Sequence, residues 1–382
     1  MDPVNVEGPS FPLYKGWAST SSARTNVLEN PMNDATPRND TRKAELLSTT
    51  VEHIDITSFD ARPIVDAMKK MSFTSRDLGR AAEIYNQMLA DKDCSIILVI
   101  AGSTSAGGCM DLYAELVRSN MVDAIVATGA TIVDMDFFEA LGHKHYQALE
   151  IPDDDTLRSL YIDRIYDTYI DEEQLQETDH TIGDIADSLE PKPYSSRAFI
   201  REMGKWLMEN GRKANSLVKL AYEHDVPIFC PAFTDSSAGF GLVKHQVDRM
   251  KAGKPYLTMD SIADFRELTD IKIKAGTTGL LMIGGGVPKN FTQDTVVCAE
   301  ILGHDDVEVH KYAVQITVAD VRDGACSSST LQEAASWGKV STALEQMVFA
   351  EATSVLPLLA SDAYHRGHWK DRAKRRFSKM FD

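Results

Sequence analysis

Ser95-Ile96-Ile97-Leu98-Val99-Ile100-Ala101-Gly102-Ser103-Thr104-Ser105-Ala106-Gly107-Gly108 is the stretch on which the fold turns. Its opening apolar run is far too short to cross a bilayer and reads as a strand buried on both faces. Small, hydroxyl-bearing and glycine residues follow, and 110–119 then carry an amphipathic helical pattern. A strand, a glycine turn and a helix form the repeating unit of an open parallel sheet, whose ligands bind beyond the carboxyl ends of the strands.

The same alternation runs outward from Ile54. Strands are predicted at 124–128, 227–233, 280–283, 312–318 and 348–352, and helices at 199–208, 214–223 and 292–302. Together they predict an α/β fold, Rossmann-like, with a mostly parallel central sheet, helices on both faces and helical extensions at the ends. Residues 1–45, rich in Pro, Asn, Ser, Thr and Asp, are expected to be disordered, because they bury too little apolar surface to offset ordering entropy. Met32 is a second candidate for the first residue. Residues 46–382 are expected to form a single domain, in which the acidic segment 151–195 is a helical or loop excursion with a solvated face.

Of the 382 residues, 43% are hydrophobic and 25% charged, as in a soluble globular enzyme. A formal charge of −17 argues against nucleic acid and anionic membranes and suits a cationic substrate. The five cysteines are scattered, with no C-x-x-C pair, and read as free thiols of a reducing compartment. A cytoplasmic location is expected, with no metal site.

Three predicted strands end in turns suited to phosphate: 101–108, then Thr128-Gly129-Ala130-Thr131, then Gly284-Gly285-Gly286. None matches G-x-G-x-x-G. Phe233-Thr234-Asp235-Ser236-Ser237 offers a helix cap or a ribose contact from Asp235, and Asp323-Gly324 a tight turn. Asp134, Met135 and Asp136 open a predicted helix, where carboxylates favour the dipole or bind a cation. His143 and His145 are predicted on different helix faces, and 370–376 as a solvated basic helix face. In Ser336-Trp337-Gly338-Lys339 the lysine is predicted to sit in an apolar slot, where a neutral amine could attack a carbonyl or imine.

Taken in order, these pieces resemble the deoxyhypusine synthase family over about 50–365, and in particular its divergent bacterial members. The most specific match runs from 312 to 339 and includes Asp323-Gly324, Glu333 and Ser336-Trp337-Gly338-Lys339; Asn120-Met121-Val122-Asp123, 229–235 and Gly284-Gly285-Gly286-Val287 also match. The resemblance implies NAD as cofactor and a homotetramer with active sites at a dimer interface. It implies transfer of an aminobutyl group from spermidine, by way of an imine on the active lysine, to an acceptor amine. That acceptor is a protein lysine in deoxyhypusine synthases and putrescine in homospermidine synthases. Lys339 would form the imine, Trp337 would wall the polyamine chain, and Glu333, Asp134 and Asn290 would line the substrate site. NAD would be held by Ser103, Thr128, Gly129, Ala130, Asp235, Gly284, Gly285, Asp323, Gly324, Glu351 and Ala352, with Glu351 where the family usually has aspartate.

The departures bear on substrate. Asn290 stands where the family has a histidine, Phe240 and Cys326 where it has spermidine-binding aspartates, and Asp134 to Asp136 where it has paired glutamates. An NAD-dependent aminoalkyl transferase acting on a polyamine or related amine is the reading these residues favour. A homospermidine synthase, a true deoxyhypusine synthase and a non-catalytic nucleotide-binding regulatory subunit are the alternatives.

Overall fold

A computed structural model of the chain describes residues 37–382 with the exception of 326. Cys326 and most of the stretch expected to be disordered therefore lie outside the described residues. Pro37–Leu46 is a helix, a departure from the disorder expected through residue 45. The chain divides into Met1–Glu45 and Leu46–Asp382.

Within the second unit the strands are β1 (Ser95–Ile100), β2 (Ala124–Ala127), β3 (His145–Gln147), β4 (Ile162–Ile165), β5 (Thr168–Asp171), β6 (Pro193–Tyr194), β7 (Ile228–Phe229), β8 (Thr258–Met259), β9 (Thr278–Ile283), β10 (Tyr312–Thr317) and β11 (Glu345–Phe349). Six of them form the central sheet, in the order β7-β2-β1-β9-β10-β11. Every pair in it is parallel. From β1 the chain winds outward to β7, then returns beside β1 at β9 and winds outward the other way. This is the doubly wound order, and its switch point lies between β1 and β9, where open α/β sheets bind their ligands.

β1, β2, β9 and β10 are buried along their whole length, as the near-continuous apolar runs require. Helices cover both faces. Phe73–Ala90, Met110–Arg118 and Ala352–Arg366 pack with Leu98, Ile100 and Ile316 on one face. Val99, Val126 and Met282 meet Leu268 and Ile271 of helix Ser261–Ala275 on the other.

Three expectations differ from the structure. The acidic excursion is not only helix and loop: its strands β4 and β5 join the preceding β3 in a three-stranded antiparallel sheet, and helix Glu172–Ser188 follows, capped by Asp171. The predicted helix 292–302 is two helices, Gly286–Gln293 and Thr295–Ile301, which meet at Asp294. The basic segment 370–376 is not a solvated helix face. After the turn His368–Asp371 the chain becomes extended, and Arg372 is buried against Asp123 at 2.5 Å while also donating to the carbonyls of Asn120 and Cys94. Asp123 in turn accepts from the amide of Ile96, so the Asn120–Asp123 match serves to anchor β1 and the C-terminal segment.

Candidate active site at the carboxyl edge of the sheet

The loops that leave β1, β2, β7, β9, β10 and β11 emerge on one edge of the sheet and carry all eleven positions read as cofactor contacts. Wide π-type turns open two of these loops, Ser105–Cys109 after β1 and Ala130–Phe137 after β2. Such turns recur at functional sites. At the switch point Gly284 has a φ of +76°, and a Cβ there would stand 3.2 Å from the carbonyl oxygen of Ala101. The two central loops can therefore meet only through glycine. Thr131 Oγ1 ties the β2 loop to the β1 loop by donating to the Gly102 carbonyl at 3.0 Å.

Gly102 and Gly324 border open space where a side chain would be, so ligand phosphates could approach backbone there. Ser103 and Thr128 are half-buried, and Asp235 and Asp323 are exposed at the same edge. This set of bare backbone, hydroxyls and carboxylates fits a dinucleotide. Glu351, expected as a ribose contact, is engaged at a helix end. Its carboxylate caps helix Ala352–Arg366, accepting from the amides of Thr353 and Ser354 at 3.0 Å and from both hydroxyls.

Asp134 lies in the wide turn after β2, not in the first turn of an α-helix, and accepts from the amide of Ser237 at 2.8 Å. Burial pushes its carboxyl up to about 6, against the Ser237 bonds and with help from Asp235. Asp136 is turned the other way and caps helix Leu217–Glu223 through Ser216, Leu217 and Val218. His145 lies in β3 and not on a helix, buried with its Nδ1 2.8 Å from Glu139, which also holds His53 and Lys213. Together these partners keep the Glu139 carboxyl well below the usual range despite its burial. Among the described residues no group of three or more such side chains could hold a metal ion.

Lys339 occupies a different setting from the predicted apolar slot. Its Nζ lies 2.5 Å from Asp294 Oδ1, 3.3 Å from Asn290 Oδ1 and 5.4 Å from the centre of the Trp337 ring. Asn290 Nδ2 donates to the other Asp294 oxygen at 2.7 Å, which closes a three-residue ring of contacts. Trp337 is 72% exposed, so its face is open. The Lys339 carbonyl accepts from the amide of His310, two residues before β10, which places its backbone at the amino end of that strand. Its side chain meets the far end of helix Gly286–Gln293, which descends from the switch-point glycines to Asp294. Glu333 is exposed and completes a capping box with Thr330 at the start of helix Leu331–Ser336. The Thr330 bonds hold its carboxyl below the usual range. Phe240 is exposed on helix Ser237–Lys251.

Sequence reasoning missed Asp294 and Lys289. Asn290 and Asp294 share a helix face at i, i+4, a spacing legible once the helix is known to begin at Gly286. Lys289 is buried and donates to Ser329 Oγ at 3.1 Å and to the Ser329 carbonyl, clasping the loop after β10 to this helix.

Comparison with known proteins bears on this arrangement. The family model described as "Deoxyhypusine synthase" matches residues 63–363. A deoxyhypusine synthase-like protein of Coxiella burnetii is 74% identical over 340 residues, which cover 89% of this chain and 96% of the relative. One from Caulobacter vibrioides is 69% identical over 92% of this chain and 95% of its own. A "Probable deoxyhypusine synthase 2" of Methanosarcina mazei is 38% identical over 86% and 92%. A crystal structure of an Entamoeba histolytica protein matches with a TM-score of 0.55 at 20% identity, covering 82% of this chain and 97% of that one, and shows a shared fold.

Proposed function

The chain belongs to the deoxyhypusine synthase family, and from that premise we propose that it is an NAD-dependent aminobutyl transferase acting on a polyamine or related amine through an imine on Lys339. One observation carries this reading. Helix Gly286–Gln293 begins in the switch-point glycines, and Asn290 within it, with Asp294 at its end, holds Lys339. The helix thus carries the proposed cofactor edge at its start and the proposed nucleophile at its far end, beside the amino end of β10, an arrangement that suits a site completed by a second copy.

NAD, when bound, takes a hydride from the donor amine and returns it to the final imine. The chain's residues do the rest. Ser103, Thr128, Gly129, Ala130, Asp235, Gly284, Gly285, Asp323, Gly324 and Ala352 would hold the dinucleotide along the carboxyl edge. Glu351 would join them by sharing the carboxylate that caps its helix. The Lys339 amine attacks the oxidised donor carbon, keeps the aminobutyl group as an imine and releases the remaining diamine; an acceptor amine then displaces Lys339. Trp337 would cover the methylenes and keep water from the imine, while Asn290 and the carboxylates of Asp134 and Glu333 would bind the donor's polar ends. The open face of Trp337 suits closure by a second copy in a homo-oligomer.

Incubation with NAD and spermidine tests the reading. Release of 1,3-diaminopropane that is lost in Lys339→Ala is the expected result. No release from spermidine, and no cleavage of any of a panel of di- and triamines, would overturn it.

A further inference from the structure

Resting on that reading of Lys339, we propose that Asp294 is the lysine's proton partner, which holds the ammonium in the resting chain and takes its proton when the amine becomes a nucleophile. Three observations lead here. Asp294 Oδ1 is 2.5 Å from Lys339 Nζ, a distance at which the proton can pass directly between them. Asn290 fixes the geometry, with its amide nitrogen on one Asp294 oxygen at 2.7 Å and its own oxygen facing Nζ at 3.3 Å. The third is position: the Lys339 side chain is 12% exposed and that of Asp294 31%, so the pair is shielded yet reachable by a substrate entering over Trp337.

The resemblance places a histidine at 290, where this chain has Asn290, which cannot accept a proton at neutral pH. One helical turn further on, Asp294 supplies the missing acceptor from the same face. Lys289, the nearest other cation in sequence, is turned away onto Ser329. The step balances. The N–H bond of the Lys339 ammonium breaks, an O–H bond forms on Asp294 Oδ1, and the freed lone pair attacks the oxidised carbon. The proton returns when the acceptor displaces the lysine.

The test has two arms read on the same proteins. Lys339 is methylated with formaldehyde and cyanoborohydride at pH 7.5 and quantified by peptide mass spectrometry, with exposed Lys254 as internal reference. Asp294→Asn keeps the shape but removes the charge, so Lys339 labelling is expected to rise about fivefold, with a smaller rise in Asn290→Ala. In turnover with NAD and amine, Asp294→Asn is expected to fall about a hundredfold or more, and Asp294→Glu to recover part of the rate with a displaced pH profile. A merely structural contact would leave the pH profile of Asp294→Glu at that of the parent chain. Unchanged labelling in Asp294→Asn, or turnover equal to the parent chain, overturns the proposal. If the parent chain itself turns over no amine, the proposed function fails, and the labelling arm still decides whether Asp294 holds the lysine.

Discussion

Gly129 and Ser236 compete for one small space at the carboxyl edge of the sheet, since a Cβ on Gly129 would stand 2.5 Å from both Cβ and Oγ of the serine. The loop after β2 and the loop after β7 therefore touch only because position 129 has no side chain. Gly129→Ala must push the Ser236 turn outward and with it the neighbouring Ser237–Asp134 bond. We expect a loss of about 1–3 kcal/mol in urea unfolding and weaker NAD binding by calorimetry. Adding Ser236→Gly should restore most of the stability. A Gly129→Ala chain as stable as its parent would contradict this packing.

The Arg372–Asp123 pair joins the last segment of the chain to the amino end of β1, with both side chains almost fully buried. Removing one partner leaves the other charge buried without compensation. Arg372→Ala is expected to cost about 3–5 kcal/mol, read as a lower urea midpoint at unchanged slope. A change under about 1 kcal/mol would mean that the pair is solvated.

Asp134 gives a pH dependence whose sign can be worked out. Its folded value of about 6 lies above its ordinary 3.8. Between those two pH values the folded chain binds more protons than the unfolded one, so this group's contribution to stability falls as pH rises. Asp134→Asn should therefore stabilise the chain at pH 7.5, by on the order of 2 kcal/mol, and have little effect at pH 4. Equal effects at both pH values would show that the carboxyl titrates normally.

The central sheet is legible in the sequence because buried parallel strands write themselves as unbroken apolar runs, as at Ile96 to Ile100. Local pattern fails where distant residues decide. The predicted strand 227–233 shrinks to Ile228–Phe229 because the Ser196 hydroxyl takes the amide of Cys230 and Phe233 packs on Phe199 instead. The short strands β4 and β5 are hidden among acidic residues that sequence reads as solvated. At the site, the positions of the glycine turns follow from strand ends and are readable. The Asn290–Asp294–Lys339 ring is not, because it depends on where a helix with Pro288 in its first turn begins. Glu351 shows a second limit, since the helix-capping role of its carboxylate is not legible in the sequence.

Trp337 should report substrate directly. With the residue 72% exposed, covering its ring with polyamine methylenes or a second copy must change its emission. Addition of NAD and amine is expected to shift tryptophan fluorescence in the parent chain and not in Trp337→Phe. A shift of equal size in that variant would place the change at another tryptophan.

The most direct measurement is borohydride trapping in the presence of NAD and a polyamine panel, followed by peptide mass spectrometry. An increment of one aminobutyl group on the peptide containing Lys339, dependent on NAD and absent from Lys339→Ala, is the predicted result. An adduct on a different lysine, or none with any amine while NAD binds normally, would contradict imine chemistry at Lys339.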